Sequence, residues 1–307
     1  MHFGEYIRRC RRELGLTQEE LVTELFRFDP ETFGGLDASA LSKWERGVTH
    51  TGYRRMEAFL GWLQERTGDP LPCLENQPPE EVQRSFCQAG FRHLLGQPPR
   101  HLIVDLKIDR LEAEHFSLMP LRHFERMEEL LEIHQNLHEN LNPPYSRIDL
   151  QQLREWALDP RCLFFVALYK NTVLGLLFVL RLRPESFDAI MEFGRERREI
   201  TAEDFADESG EASLLILSLF SLDGKVATLL MMRLYAHLIA HRKQIRELGV
   251  NTALREVAAT VERMDLRVYR SRKIGEHTHI AYRNSLADVL RSRAALQLLF
   301  SPEPCRE

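Results

Sequence analysis

Apolar residues recur at helical spacing through the first 68 residues, in short blocks divided by turn residues. Thr17 precedes Gln18-Glu19-Glu20-Leu21, so a helix opens there with Thr17 as its cap. Glu20, three residues on, completes a capping box. Leu21 and Leu25 form the inward stripe of that helix, and Leu41 and Trp44 anchor the next one. The second opens after Asp37, a favoured N-cap, and Gly47 ends it as a left-handed cap. Between them runs FRFDPETFGGLD, with Pro30 and the pair Gly34-Gly35, a longer connection than a tight turn. Residues 1–68 therefore read as an all-α bundle of short helices.

The pattern then changes twice. Pro70, Pro72, Pro78, Pro79, Pro98 and Pro99 mark 69–114 as a stiff linker with one helix of its own, EEVQRSFCQAGFRHLL. From 115 to 307 helix and strand periods alternate. Helices are expected over 121–139 and 150–158, and strands over 163–169 and 173–182, joined by a turn at Lys170-Asn171-Thr172. The acid-rich stretch 192–212 reads as an insertion or flexible loop. Residues 213–220, SLLILSLF, are apolar throughout, as in a strand covered on both faces. A helix over about 226–243, a strand near 253–261, a short helix holding Tyr269, a strand near 277–283 and a helix over 285–299 complete the expectation. The fold class is thus multidomain: an all-α bundle, a linker, and an α/β (α+β) domain with a mixed central sheet.

Composition narrows the function. Hydrophobic residues make up 44% and charged residues 28%, which is ordinary globular chemistry rather than disorder. The formal net charge of -5 excludes a wholly basic nucleic-acid binder, so any such surface must be a local patch. Cysteines at 10, 73, 87, 162 and 305 show no C-x-x-C spacing, which argues against a zinc or disulfide framework and fits a reducing compartment. The start MHFGEYIRRCRRELG lacks the apolar core of a signal peptide, and apolar runs such as 173–180 are too short to span a bilayer. A cytoplasmic protein with no membrane partner is expected. His134 and His138 lie one helical turn apart, a metal-ligand spacing, but no third ligand is evident and no metal is expected.

The residues L16-T17-Q18-E19-E20-L21 and L41-S42-K43-W44-E45-R46-G47 resemble the XRE, or Cro/repressor-like, helix-turn-helix family over residues 3–68. The resemblance implies a DNA-binding domain that works as a dimer on inverted repeats. It places Gln18 against a phosphate. It sets Ala38, Ser39, Ser42, Lys43 and Arg46 on the recognition helix, toward base edges or backbone. Glu45 is expected to pair with an arginine of the first helix. Helix N-termini favour phosphate, and the second helix of such a motif enters the major groove. Arg8, Arg9, Arg11, Arg12, Arg54 and Arg55 could supply sequence-independent attraction.

The order helix, helix, β-hairpin, buried strand, long helix, strand resembles the GNAT acyltransferase superfamily over roughly 115–299. In that family acyl-coenzyme A lies where the central strand splays from its neighbour, and a glycine-rich turn cradles its pyrophosphate. The matching residues are Asp223 followed by Gly224, Lys225, Val226, Ala227 and Thr228. Asp223 brings negative charge to that turn, and Val226 and Thr228 bring β-branched bulk where glycine or alanine is usual. Y269-R270-S271-R272-K273-I274-G275 looks like the family's "lYeklGF" signature, which makes Tyr269 the candidate general acid. Two readings follow. One is a transcription regulator whose C-terminal domain is a ligand sensor or dimerisation platform. The other is an acyl-coenzyme A-dependent N-acyltransferase carrying a DNA-binding module. A DNA-binding interaction protein, such as an antitoxin, is a third.

Overall fold

The helices of the first 68 residues form where their caps place them. They are α1 (Phe3–Glu13), α2 (Gln18–Phe28), α3 (Pro30–Phe33), α4 (Ala38–Glu45) and α5 (Tyr53–Thr67). Thr17 and Glu20 make both hydrogen bonds of the capping box, and the Asp37 carboxylate accepts from Ala40 N–H at 2.6 Å. Gly47 takes φ 69° after α4, where a side chain would be strained. The computed structural model describes residues 2–74, 115–141, 148–254 and 257–300. The expected linker helix lies outside the described residues.

These residues fall into two compact units. One holds the described parts of Met1–Leu94, Tyr235–Arg242 and Ala287–Glu307; the other holds those of Leu95–Leu234 and Lys243–Leu286. The first, helical unit buries Tyr6, Ile7, Cys10, Leu21, Leu25, Leu41, Phe59, Leu60 and Leu63 almost completely. The long connection between α2 and α4 is not a free loop, since α3 within it sinks Phe33 and the next turn sinks Leu36. The same core takes residues from the far end of the sequence. The Phe300 ring meets Phe3 edge-on at 4.8 Å and Tyr6 at 5.2 Å. Arg242, buried, holds Asp69 through its Nε at 2.9 Å and the Leu74 carbonyl at 3.1 Å.

The second unit is built on a seven-stranded sheet of order β1-β2-β3-β4-β5-β7-β6. Its strands are β1 (Phe116–Pro120), β2 (Leu163–Tyr169), β3 (Thr172–Leu182), β4 (Ala212–Ser221), β5 (Ile245–Thr252), β6 (Arg267–Ile274) and β7 (His277–Ser285). All neighbours are antiparallel except β4 and β5, which are parallel. Lys170 and Asn171 both take positive φ in the β2–β3 hairpin, as a tight turn of matching twist requires. Helices α6 (Met127–Leu141), α7 (Leu150–Leu158) and α8 (Pro184–Met191) contribute to one core, which includes Leu131, Trp156, Phe178 and Phe187. Then come α9 (Gly224–Ala240), α10 (Ala258–Arg263), α11 (Leu286–Arg291) and α12 (Arg293–Leu299). A helical bundle followed by a mixed sheet with helices is the class the sequence leads one to expect.

Several boundaries differ from expectation. Residues 116–120 form an edge strand, and the following helix starts at Met127 rather than 121. The fifth strand is Ile245–Thr252, not 253–261. Arg246 and Glu247 interrupt its apolar run, while the apolar residues after 256 belong to α10. The acid-rich stretch 192–212 is ordered rather than loose. Asp204, buried, takes hydrogen bonds from Ser186 Oγ (2.8 Å), Thr201 N–H (2.7 Å) and Arg195.

Burial opposes ionisation of Asp204, but Arg195, Thr201 and Ser186 outweigh it and hold the carboxyl down at about 2. The lowered value means stability that is fully present above the unfolded pKa near ~4 and lost as pH falls toward 2. The expected size is about 2 kcal/mol. Urea melts at stepped pH should show this loss in the native chain and a flatter profile in Asp204→Asn.

Candidate functional site

In the helical unit, α4 is fastened from its inner side. Leu41 and Trp44 are buried, and so is Glu45. The Glu45 carboxylate receives Arg11 Nε at 2.6 Å, Arg11 Nη2 at 3.0 Å and Gln18 Nε2 at 2.9 Å. Arg11 also donates to the Leu16 carbonyl at 2.8 Å. A buried carboxylate is costly without such partners, so α1, α2 and α4 are locked in one arrangement. Glu45 thus pairs with an arginine of the first helix, and the Gln18 amide is turned onto it. Gly4 of α1 lies so close to α4 that a Cβ there would stand 1.7 Å from the Trp44 carbonyl oxygen.

The outer side of α4 is open. Ser39, Lys43 and Arg46 are exposed, with Ala38 and Ser42 half-buried beside them. Four of the six arginines singled out from the sequence are engaged within the unit. Arg9 pairs with Glu13, Arg11 with Glu45 and Arg54 with Glu31, while Arg55 stacks over Trp44 at 5.3 Å. Arg12 stays exposed and Arg8 half-buried.

In the second unit, β4 follows β5 only as far as the pair Ile216–Val250. A bulge at Leu217 then turns its remainder, Ser218–Ser221, along β3 alone. The two parallel strands part there, at their C-terminal ends. Past the parting point, Asn251 of β5 is nine-tenths buried, and among the described residues its Oδ1 has no hydrogen-bond partner. Such an atom is costly unless something donates to it. The sequence pattern does not mark Asn251, because Arg246 and Glu247 interrupt the apolar run of its strand.

Helix α9 begins at Gly224, just beyond β4. Ser221 Oγ donates to the Asp223 carbonyl at 2.6 Å and accepts from Asp223 N–H at 3.3 Å, which closes the turn. Ala227 N–H reaches that same carbonyl at 3.0 Å. Val226 is fully buried and fills the space over Gly175, where an added Cβ would meet its Cγ1 at 2.8 Å. The third helical position is therefore spent on packing, and a carboxylate precedes it. This turn does not fit the pyrophosphate of coenzyme A as a glycine-rich turn would. The side chains of Lys225 and Thr228 lie outside the described residues.

Tyr269 stands on strand β6 rather than on a short helix. It is 43% exposed, its hydroxyl donates to Glu192 Oε1 at 3.1 Å, and Arg283 lies 4.5 Å from its ring. Between α10 and β6, Asp265 takes φ 57°. His134 faces inward, not to water: it is 7% exposed, its ring lies 4.6 Å from that of Phe178, and burial pushes its pKa down to about 4. The His138 side chain is outside the described residues. Among the described residues no three His, Cys, Asp or Glu side chains form a metal-holding group, and no helix is long and apolar enough to cross a membrane.

No protein-family model matches the chain, and no curated protein is similar to it. Solved structures do match. FeeM, an N-acyl amino acid synthase from uncultured soil microbes, is 10% identical at a TM-score of 0.40, over 59% of this chain and 95% of that one. An N-acetyltransferase from Staphylococcus aureus Mu50 is 15% identical at 0.38, over 56% of this chain and 98% of its own. Arabidopsis thaliana Naa50, in complex with a bisubstrate analogue, is 15% identical at 0.37, over 56% and 99%.

Proposed function

We propose that this chain is a cytoplasmic, DNA-binding transcription regulator that acts as a homodimer on an inverted-repeat operator. Helix α4 reads the duplex through Ala38, Ser39, Ser42, Lys43 and Arg46, with Gln18 near a phosphate. The second unit serves as ligand sensor, dimerisation platform or both. The observation that carries this reading is a capped helix fixed on its inner side by Trp44 and the Arg11–Glu45–Gln18 network, with Ser39, Lys43 and Arg46 exposed on its outer side. That combination gives a rigid reading head rather than a solvated helix. A dimer would present two such helices ~34 Å apart, one turn of duplex.

Genome-wide mapping of bound DNA would supply the operator. Ser39→Ala with Lys43→Ala should then weaken binding by about 10- to 100-fold, since one good base contact is worth ~1–3 kcal/mol. The thermal midpoint should not move. Equal affinity of native and double-variant protein for the mapped site would overturn the assignment of α4.

A second reading, an N-acyltransferase carrying a DNA-binding module, draws on the parting of β4 from β5 and on the Asn251 side-chain carbonyl just past it, which has no partner among the described residues. That atom could accept from an amide of an acyl carrier. Calorimetry with acetyl- and longer acyl-coenzyme A discriminates: saturable heats lost in Asn251→Ala favour it, and flat heats favour the sensor.

A further inference from the structure

β6 is an edge strand, and its sequence, RVYRSRKI, sets four cations in eight residues on a chain of net charge -5. Seven of the eight residues are exposed. Its outer half leaves the sheet. Among the described residues β5 pairs with β7 only over Ile280–Ser285, so His277, Thr278 and His279 pair with Ile274, Lys273 and Arg272 alone. The result is a two-stranded ribbon closed by Gly275 at φ 61°.

Three of the four β6 cations have no carboxylate partner among the described residues. Arg270 and Arg272 donate to the Glu192 and Phe193 carbonyls at the end of α8, at 3.3 and 3.1 Å. A carbonyl orients a guanidinium but leaves its charge. Arg267 makes a loose, exposed pair with Asp265 at 3.3 Å. Among the described residues no carboxylate lies within ion-pair distance of Arg270, Arg272 or Lys273, whereas Arg283 farther along the hairpin is held by both Glu247 and Asp188. An edge strand guarded by cations resists pairing with another chain, which argues against a strand-adding peptide as its occupant. A polyanion with regularly spaced charges suits it, and a two-stranded ribbon is narrow enough for the major groove.

We infer that the β6–β7 ribbon is a second, sequence-independent contact to the phosphate backbone of duplex DNA, made by Arg270, Arg272 and Lys273. The inference rests on the DNA-binding reading but on different residues from those of α4. Each neutralised phosphate contributes about 0.9 to the slope of log affinity against log salt.

The test uses the full chain and a random-sequence duplex, titrated by fluorescence anisotropy between about 50 and 200 mM salt. Lys273→Ala should lower the slope by about 0.9, and Arg272→Ala with Lys273→Ala by about 1.8. Arg272→Lys keeps the charge and should keep the slope. Unchanged thermal midpoints would show that the loss of the Phe193 bond is not the cause. Unchanged slopes in the ribbon variants, with binding weakened in Ser39→Ala/Lys43→Ala, would overturn the ribbon contact and leave the reading of α4 intact. No binding of this duplex by the native chain would overturn the ribbon contact; no binding of the mapped operator either would overturn both. Competition by polyglutamate as strong as by duplex at equal charge would assign the ribbon to an acidic polypeptide and overturn the inference.

Discussion

Gly4→Ala should unfold the helical unit at markedly lower denaturant, by about 3 kcal/mol or more. The added methyl would stand 1.7 Å from the Trp44 carbonyl oxygen and 2.6 Å from its carbon. Neither is the soft end of a side chain, so helix α1 or α4 must move bodily. Alanine favours a helix over glycine by about 1 kcal/mol, and overpacking a core typically costs ~1–3 kcal/mol, more when backbone is struck. The clash therefore wins. Because the contact is with Trp44, the same change would shift α4 and loosen the Arg11–Glu45 bonds. Tryptophan fluorescence during urea titration reads it directly. Trp44 and Trp62 lie in the helical unit, and Trp156→Phe removes the signal of the other. An unshifted midpoint would mean that α1 and α4 do not meet at Gly4.

Phe300→Ala should destabilise the same unit by about 3 kcal/mol, toward the lower end for a buried phenylalanine. Its ring is 4% exposed and packs on Phe3 and Tyr6, nearly three hundred residues earlier in the chain. Sequence position alone would make such a change harmless. The check is the same fluorescence melt, with the fragment 1–74 as a companion. That fragment lacks Phe300 and Arg242, the partner of Asp69, and should show no cooperative transition. A sharp transition in the fragment would show that the N-terminal helices need nothing from the rest of the chain.

Local signals were the legible part of this sequence. Thr17, Glu20, Asp37 and Gly47 act within one turn of themselves, so their hydrogen bonds could be written down before any coordinates. The hairpin at Lys170-Asn171 and the buried strand after it were legible for the same reason. The alliance of Glu45 with the first helix was also foreseen. Boundaries failed where two elements share one apolar stretch, as at β1 and α6, or where charge breaks a buried strand, as at Arg246-Glu247. The candidate cleft suffered from that second failure. With β5 displaced toward the C-terminus, Asn251 went unnoticed and Tyr269 was set on a helix it does not occupy. The ribbon cations are visible as letters, but that Arg270, Arg272 and Lys273 have no carboxylate partner among the described residues is a fact of three dimensions.

The closure of the helical core by Phe300 bears on how the protein comes to exist. A ribosome releases Phe3 and Tyr6 almost three hundred residues before Phe300. Over that interval the aromatic ring that packs on both has not yet been made. Contacts this distant in sequence form slowly because a long loop must close first. A chain stopped before Phe300 would carry the letters of α4 in a bundle that lacks part of its core, so on the proposed DNA-binding reading truncated products would compete poorly with finished ones.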